Sequence, residues 1–345
     1  MKRAEDYGLR VGVLPKGARN RISDVPGVTV GHATIDDARH HTGVTVIMPC
    51  ADNMFASKLT AASFVLNGFG KTQGLVQVDE LGTLETPIAL TNTLNVGVVH
   101  DALVSYMARR CKEDGIALRS VNPVVGECND SQLNEITDRP VTQEHVMQAI
   151  ACAGEDFEEG CVGAGAGTVC HGLKGGIGSS SRLIRLEDRT YTLGVLVQSN
   201  HGCLEELCVC GRMLGREIIA ERAEAPAEPA RDRGSIMMIL ATDLPVSDRQ
   251  LRRIIKRCSV GLARCGSYFG HGSGDVMIGF TTANRVLHAP QRKVMTQQIL
   301  AEEALEEAFR AAAEAAQEAV LNSLCAAREM QALDGTKIEA IGQYL

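Results

Sequence analysis

An unbroken apolar run from Ile236 to Thr242 constrains the fold more than any other feature of the sequence. Consecutive residues without a charge or a side-chain amide predict a strand that is buried on both of its faces. Pro245 ends the run soon afterwards. Such a strand needs packed layers on either side, so the run favours a layered α/β structure whose helices cover a largely buried sheet.

Strand and helix patterns are mixed along the rest of the chain. β-branched or apolar runs predict further strands at residues 28–32, 44–48, 87–92 and 191–198. Helical periodicity predicts helices over residues 98–112, 141–153 and 295–330, the last being one long helix or two joined by a short break. Ser247 and Gln250 form a capping box that predicts another helix start. Consecutive βαβ units are not evident, which favours a layered sandwich over a doubly wound nucleotide fold.

Composition excludes several classes of protein. The 345 residues fit one large α/β domain or two smaller ones. A net charge of −7 without a basic stripe argues against a nucleic-acid partner. The chain contains 12 Cys but opens without a signal peptide and has no run of about 18 apolar residues, so we expect reduced thiols in a cytoplasmic protein with no membrane span. Cys208 and Cys210 lack partners at metal-ligand spacing, and neither a metal nor a cofactor is predicted.

The junction at Gly234-Ser235 is unusual because a polar segment with two prolines, residues 221–233, meets the apolar strand there. That segment predicts an exposed, mobile linker. Taken alone, Gly-Ser is a loop end before a core strand. Scission before Ser235, however, would create an α-amine of pKa near ~8 beside the serine hydroxyl, and such an amine can act as its base. Gly234 has no side chain, so the hydroxyl can approach its carbonyl and cut the chain itself.

A resemblance to a known family decides between these interpretations. Residues 234–245, Gly-Ser-Ile-Met-Met-Ile-Leu-Ala-Thr-Asp-Leu-Pro, resemble the nucleophile region of the L-aminopeptidase/D-esterase and β-peptidyl aminopeptidase family, the serine N-terminal-nucleophile hydrolases of peptidase family S58. Further motifs match in the same order at residues 24–32, 41–45, 67–70, 87–93, 123–130, 174–182, 195–200 and 272–275.

The resemblance implies a fold and a maturation step. The fold is expected to be an αββα-type sandwich, shared with the ornithine acetyltransferases, in a single domain spanning residues 1–345. Self-cleavage is expected to divide it into an α chain of residues 1–234 and a β chain of residues 235–345. The resemblance also implies a homo-oligomer of αβ heterodimers that hydrolyses the N-terminal residue of short peptides, or amino acid amides and esters.

The resemblance also assigns candidate site residues. Ser235 is the expected nucleophile, Asn200 an oxyanion donor, and Ser273 and Asp275 the groups that hydrogen-bond near the nucleophile and its amine. Glu127 matches an acidic residue that receives the free amine of the substrate.

Two positions depart from some relatives. Asn129 stands where some family aminopeptidases have Tyr, whose hydroxyl assists the oxyanion, and an Asn amide reaches less far. Asp275 is one methylene shorter than the Glu of some relatives.

The sequence offers less support for other functions. Acyl transfer of the ornithine acetyltransferase type uses a Thr nucleophile, which Ser235 argues against, and an uncleaved non-catalytic scaffold remains open. The glycine-rich residues 160–178 lack a phosphate-binding Gly-x-x-x-x-Gly-Lys-Ser/Thr motif. A Ser235–His271 pair is unnecessary where the α-amine is the base. The sequence does not distinguish L-, D- and β-amino acid substrates.

Overall fold

The structure, a computed structural model, describes residues 2–222, 232 and 234–345. Its strands are β1 (Thr29–Asp36), β2 (His41–Met48), β3 (Ser57–Gly68), β4 (Thr83–Leu84), β5 (Ile88–Asn92), β6 (Val124–Cys128), β7 (Val169–Cys170), β8 (Leu173–Lys174), β9 (Gly176–Leu186), β10 (Arg189–Asn200), β11 (Ser235–Thr242), β12 (Gly274–Leu287), β13 (Met330–Gln331) and β14 (Lys337–Ile338). Its α-helices are α1 (Leu75–Leu81), α2 (Val96–Glu113), α3 (Gln143–Ala151), α4 (Leu214–Glu221), α5 (Asp248–Ile255), α6 (Cys258–Arg264) and α7 (Glu306–Cys325).

Two sheets contain most of these strands. The smaller has the order β1-β2-β5-β6 and the larger the order β4-β3-β12-β11-β10-β9. In the larger sheet β11 pairs antiparallel with β10 and parallel with β12, and β12 pairs antiparallel with β3. The apolar run that the sequence places at residues 236–242 is therefore an inner strand of the larger sheet.

Alternate residues of β11 face different cores, because successive side chains of a strand point to opposite faces. Met237 and Ile239 lie in the core between the two sheets, whereas Ile236, Met238 and Leu240 lie in the core beneath the helices. Every residue of β11 is buried. The prediction of a strand buried on both faces is confirmed, and each buried Ile or Leu stabilises the fold by about 1.5–3 kcal/mol.

A third core lies on the outer face of the smaller sheet. There Val44 and Val125 pack against Leu103 of α2 and Val146 of α3. Helices α5, α6 and α7 cover the outer face of the larger sheet. The layers follow the order helices, sheet, sheet, helices, which confirms the predicted αββα-type sandwich.

The helix predicted over residues 295–330 is wrong at both ends. Helix α7 covers Glu306–Cys325, and all of its residues from Ala311 to Cys325 are buried. Residues 295–301 form no regular secondary structure, and a 3-10 helix, Glu302–Leu305, stands directly before α7. Side chains hold residues 297 and 298 in place, because Asn284 Nδ2 donates to the Gln298 carbonyl at 2.8 Å and Gln297 Nε2 donates to Thr60 Oγ1 at 2.8 Å. These side-chain bonds compete with helix formation.

Two other expectations have clear outcomes. The capping box is confirmed, since Ser247 Oγ accepts from the Gln250 N–H at 3.2 Å at the start of α5.

The predicted linker, residues 221–233, lies outside the described residues except at residues 221, 222 and 232. Asp232 is 2% exposed, so the prediction of an exposed linker is wrong at that residue. Among the helices that the structure describes, none combines the length and apolarity needed to cross a bilayer.

Candidate active site

Ser235 is the first residue of β11 and lies between the ends of two neighbouring strands. Asn200, the last residue of β10, is its antiparallel partner, and Gly274, the first residue of β12, is its parallel partner. The side chain of Ser235 shares the strand face of Met237 and so points between the two sheets. The residue is 6% exposed. Three strand ends therefore meet at the predicted nucleophile.

Gly234 fits its position only because it lacks a side chain. A Cβ atom there would overlap the carbonyl oxygen of Asn200. The carbonyl oxygen of Gly234 accepts a hydrogen bond from the Gly274 N–H at 3.2 Å. A donor at this carbonyl would also stabilise the negative oxygen that forms if Ser235 attacked it. The bond predicted to be cut is thus held between the backbone at Asn200 and the backbone at Gly274.

Asn200 presents its amide group to a cavity. Its Oδ1 accepts the Val169 N–H at 2.9 Å, which leaves the side-chain NH₂ as the donating end. Asn200, Gly234 and Asn129 line the same cavity of about 320 Å³. The cavity is therefore large enough for a small substrate group, and it contains the amide that the resemblance assigns to the oxyanion.

Ser273 and Asp275 form a buried pair beside this strand end. Ser273 Oγ donates to Asp275 Oδ1 at 2.8 Å, whereas Asp275 Oδ2 has no hydrogen-bond partner among the described residues. The pKa of Asp275 is raised to about 6, chiefly by burial and also by the negative charge of Asp232, while the hydrogen bond from Ser273 opposes the rise. Asn67 Nδ2 fixes the loop by donating to the Gly270 and Ser273 carbonyls at 2.7 and 2.6 Å.

Glu127 comes from the smaller sheet, near the end of β6. It is 3% exposed; its Oε1 accepts the Lys71 N–H at 2.9 Å, and its Oε2 accepts the Thr93 hydroxyl. Gly70 lies between Glu127 and Gly274, the strand partner of Ser235. A Cβ atom added to Gly70 would lie 3.5 Å from Glu127 Oε1 and 3.8 Å from the Gly274 Cα. The structure therefore brings the predicted amine-binding carboxylate to the same end of the sandwich as Ser235.

Asn129 lies on the rim of the site. It is exposed, and its Oδ1 accepts the Ser131 N–H at 3.0 Å, a local turn contact that leaves the NH₂ group free to donate. Asn129 and Asn200 line the same cavity, a placement that is compatible with a role of Asn129 beside the oxyanion. That role stays a prediction.

Asp232 is a site residue that the sequence did not indicate. Its Oδ1 accepts the Gly202 N–H at 2.9 Å and the Gly234 N–H at 3.4 Å, and its Oδ2 accepts the Gly270 N–H at 3.4 Å. It thus ties the segment before Ser235 to the loops that carry Asn200 and Ser273. The only signal was an acidic residue two positions before Gly234, and such residues are common in polar linkers.

Two alternative interpretations find no support at these positions. His271 is exposed, with its ring 6.4 Å from that of Phe69, as expected of a turn residue. In the glycine-rich segment, Lys174 Nζ donates to the carbonyls of Gly165, Thr168 and Gly175 at 2.8–3.1 Å. A phosphate cradle would present N–H groups instead of carbonyls.

Comparison with known proteins places the chain in a family. The profile of peptidase family S58 matches residues 20–338. The chain is 35% identical to the beta-peptidyl aminopeptidase BapA of Sphingosinicella xenopeptidilytica, over 98% of this chain and 88% of that protein. The beta-aminopeptidase of Burkholderia sp. is similar in structure, with a TM-score of 0.91 and 38% identity over 99% of this chain and 96% of that one.

A third similar structure is the L-aminopeptidase D-Ala-esterase/amidase of Ochrobactrum anthropi. Its TM-score is 0.89 at 32% identity, over 100% of this chain and 99% of that one. That protein is described as a prototype for the serine aminopeptidases and as a new variant of the Ntn hydrolase fold.

Proposed function

The chain belongs to peptidase family S58 and is a serine aminopeptidase of the N-terminal-nucleophile type, and we propose that it matures by cutting its own Gly234–Ser235 bond. The mature enzyme then removes the N-terminal residue from short peptides and hydrolyses amino acid amides and esters. The observation that carries the proposal is the hydrogen bond from the Gly274 N–H to the Gly234 carbonyl oxygen, since it polarises the bond that Ser235 must attack.

Maturation begins with attack of Ser235 Oγ on the Gly234 carbonyl carbon. The Gly234–Ser235 C–N bond breaks as its nitrogen takes up a proton, which leaves an ester between Gly234 and the serine oxygen. Water hydrolyses this ester and releases a carboxylate at Gly234 and an α-amine at Ser235. Asp275 Oδ2, which has no partner among the described residues, supplies the negative charge for the ammonium form of that amine.

Substrate hydrolysis uses the new amine as a general base. It takes the proton of the Ser235 hydroxyl while the oxygen attacks the substrate carbonyl. As the substrate C–N or C–O bond breaks, the amine passes this proton to the leaving amine or alcohol, and water then hydrolyses the ester left on Ser235. The NH₂ group of Asn200 stabilises the resulting oxyanion, with Asn129 on the rim of the same cavity. Glu127 binds the free ammonium group of the substrate through a charge-assisted hydrogen bond, which restricts cleavage to the first residue.

Exposed apolar side chains and the state of the cysteines bear on assembly and location. We propose a homo-oligomer of αβ heterodimers, because the exposed segment before α7 carries Val294 and Ile299 with 82% and 61% of their surface open to solvent. No disulfide joins cysteines of the described residues, which supports a reducing, cytoplasmic environment.

Purified protein tests the proposal on a denaturing gel. We expect two bands, corresponding to residues 1–234 and 235–345, with Ser at the N-terminus of the smaller fragment. Ser235→Ala removes one oxygen and should give a single band and no hydrolysis of aminoacyl p-nitroanilides. Ser259→Ala, on α6, is the matched control and should behave like the parent protein. A Ser235→Ala protein that still hydrolysed these substrates would refute the assignment, and a panel of L-, D- and β-aminoacyl substrates would define the preference.

A further inference from the structure

A second cluster of reactive side chains lies behind Asn200. Cys170 ends β7, His171 follows it in the turn to β8, and His201 follows β10. All three are buried, and one ligand atom from each lies within 4.8 Å of the other two. Neither the hydrolytic mechanism nor the core packing requires this combination of a thiol and two imidazoles.

The ring of His171 is oriented in the way that is usual for a metal-binding histidine. His171 Nδ1 lies 3.0 Å from the Cys203 carbonyl oxygen and donates its N–H there, so Nε2 keeps its lone pair. A ring N–H bonded to a backbone carbonyl is the usual outer-shell arrangement of a metal-binding His. His171 Nε2 is buried without a hydrogen-bond partner among the described residues, and His201 Nδ1 lies 3.8 Å from Cys170 Sγ.

The backbone holds the cluster together under strain. His171 has a φ of 50°, a left-handed conformation that a non-glycine residue adopts at a cost of about 1 kcal/mol or more. A Cβ atom on Gly202 would overlap the His171 ring, so the ring packs directly on that backbone. His201, Gly172 and Gly202 also line the 320 Å³ cavity that contains Asn200, so the cluster lies directly behind the wall of that cavity.

We propose that Cys170, His171 and His201 form a Zn²⁺ site, with a fourth position open to the cavity, and that occupation of this site inhibits hydrolysis. Two imidazoles and one thiolate match the ligand types and number of tetrahedral zinc sites that retain a water. On binding, the Cys170 S–H gives its proton to the buffer as one Zn–S and two Zn–N bonds form. The carboxylate of Asp232, bonded to the N–H next to His201, offsets the remaining positive charge.

The geometry needs only a small closure. Tetrahedral zinc places its S and N ligands about 3.5 Å apart. Cys170 Sγ and His201 Nδ1 already lie 3.8 Å apart. Bringing the third ligand in from at most 4.8 Å therefore requires a movement of roughly 1 Å.

That closure acts on the oxyanion side of the active site. His201 directly follows Asn200, and Cys170 directly follows Val169, whose N–H holds Asn200 Oδ1. A shift of about 1 Å in a positioning contact can cost about 100-fold in rate. We therefore expect saturating Zn²⁺ to lower kcat by about that factor. This inhibitory effect rests on the proposed function, whereas metal binding does not.

Binding is tested on metal-free full-length protein with Co²⁺ and Zn²⁺. We expect one equivalent of Co²⁺ with the visible bands of a tetrahedral site and a thiolate charge-transfer band, all displaced by Zn²⁺. Cys170→Ser and, independently, His201→Gln should lose this equivalent while retaining the far-UV circular dichroism of the parent. Cys111→Ser, a buried free thiol on α2 beyond the other sheet, should keep it. The double variant Cys208→Ser/Cys210→Ser should keep it as well.

The outcomes separate the two parts of the inference. Retention of the Co²⁺ signature by Cys170→Ser, or its loss in the Cys208/Cys210 double variant alone, overturns the site. Relief of Zn²⁺ inhibition in Cys170→Ser, with basal hydrolysis retained, supports the regulatory role, and equal inhibition of both proteins overturns it. If no preparation hydrolyses aminoacyl substrates, the proposed function fails while the Co²⁺ titration still decides the metal site.

Discussion

Replacing Asp275 by Asn in a chain that cannot cut itself measures the cost of burying this carboxylate. Burial raises its pKa from 3.8 to about 6 in the intact chain. A shift of one pKa unit corresponds to about 1.36 kcal/mol, so the ionised form destabilises the folded state by about 3 kcal/mol. The background is Ser235→Ala, because the new ammonium group of a cut chain would neutralise Asp275 and lower its pKa.

The direction of the effect with pH follows from the raised pKa. Protonated Asp275 is favoured in the folded state, so its stabilising contribution is complete below about pH 4 and is lost as the pH rises through about 6. The amide that replaces the carboxyl group in Asp275→Asn cannot titrate. The free energy of unfolding of Ser235→Ala/Asp275→Asn should therefore gain about 3 kcal/mol relative to Ser235→Ala between about pH 4 and pH 8. Constant packing differences between the carboxyl and the amide cancel in this comparison.

Urea unfolding followed by circular dichroism, repeated across this pH range, supplies both free energies. Asp188→Asn in the same background is the control for exchanging a carboxyl group for an amide, because Asp188 is exposed in the turn between β9 and β10. A difference between Ser235→Ala/Asp275→Asn and Ser235→Ala that does not vary with pH would refute the reasoning, since the carboxyl of Asp275 would then be as well solvated as in the unfolded chain.

Two further variants test the bond and the oxyanion. Asn200→Ala should lower kcat for aminoacyl p-nitroanilides by about 10²–10³-fold with little change in KM, because only the transition state uses the NH₂ donor, and an unchanged kcat would contradict this role. Gly234→Ala should leave a full-length band on a denaturing gel, because the added Cβ would overlap the Asn200 carbonyl oxygen and displace the bond to be cut. Gly97→Ala, where nothing lies within 4 Å of the added atom, is its control and should be processed like the parent.

The sequence predicted those parts of the molecule that depend on local patterns. The apolar run of β11 predicted its two buried faces, and the capping box predicted the start of α5, because each signal lies within a few residues. The non-helical residues 295–301 escaped prediction because the side chains of this segment bond to Asn284 and Thr60, which lie outside it in the sequence.

The candidate site also has residues that the sequence indicated and residues that it did not. The family resemblance supplied Ser235, Asn200 and Glu127, whose motifs lie in separate strands that only the fold brings together. Asp232 was missed because its three partners lie in three different loops. The Cys170–His171–His201 cluster was missed for a related reason, since no short spacing in the sequence brings His201 beside Cys170.

The strand order of the larger sheet determines how the protein would unfold after maturation. A cut at Gly234–Ser235 would leave β11 and β12 on one polypeptide, inserted between β3 and β10 of the other. Neither piece can then leave without breaking inter-strand ladders on both sides, so separation of the fragments and loss of the fold become one event. Unfolding would change from a one-molecule to a two-molecule reaction, and the unfolding midpoint would rise with protein concentration. Fragments expressed separately would each lack the neighbours of their inner strands, and mixing them would be a route to the folded enzyme.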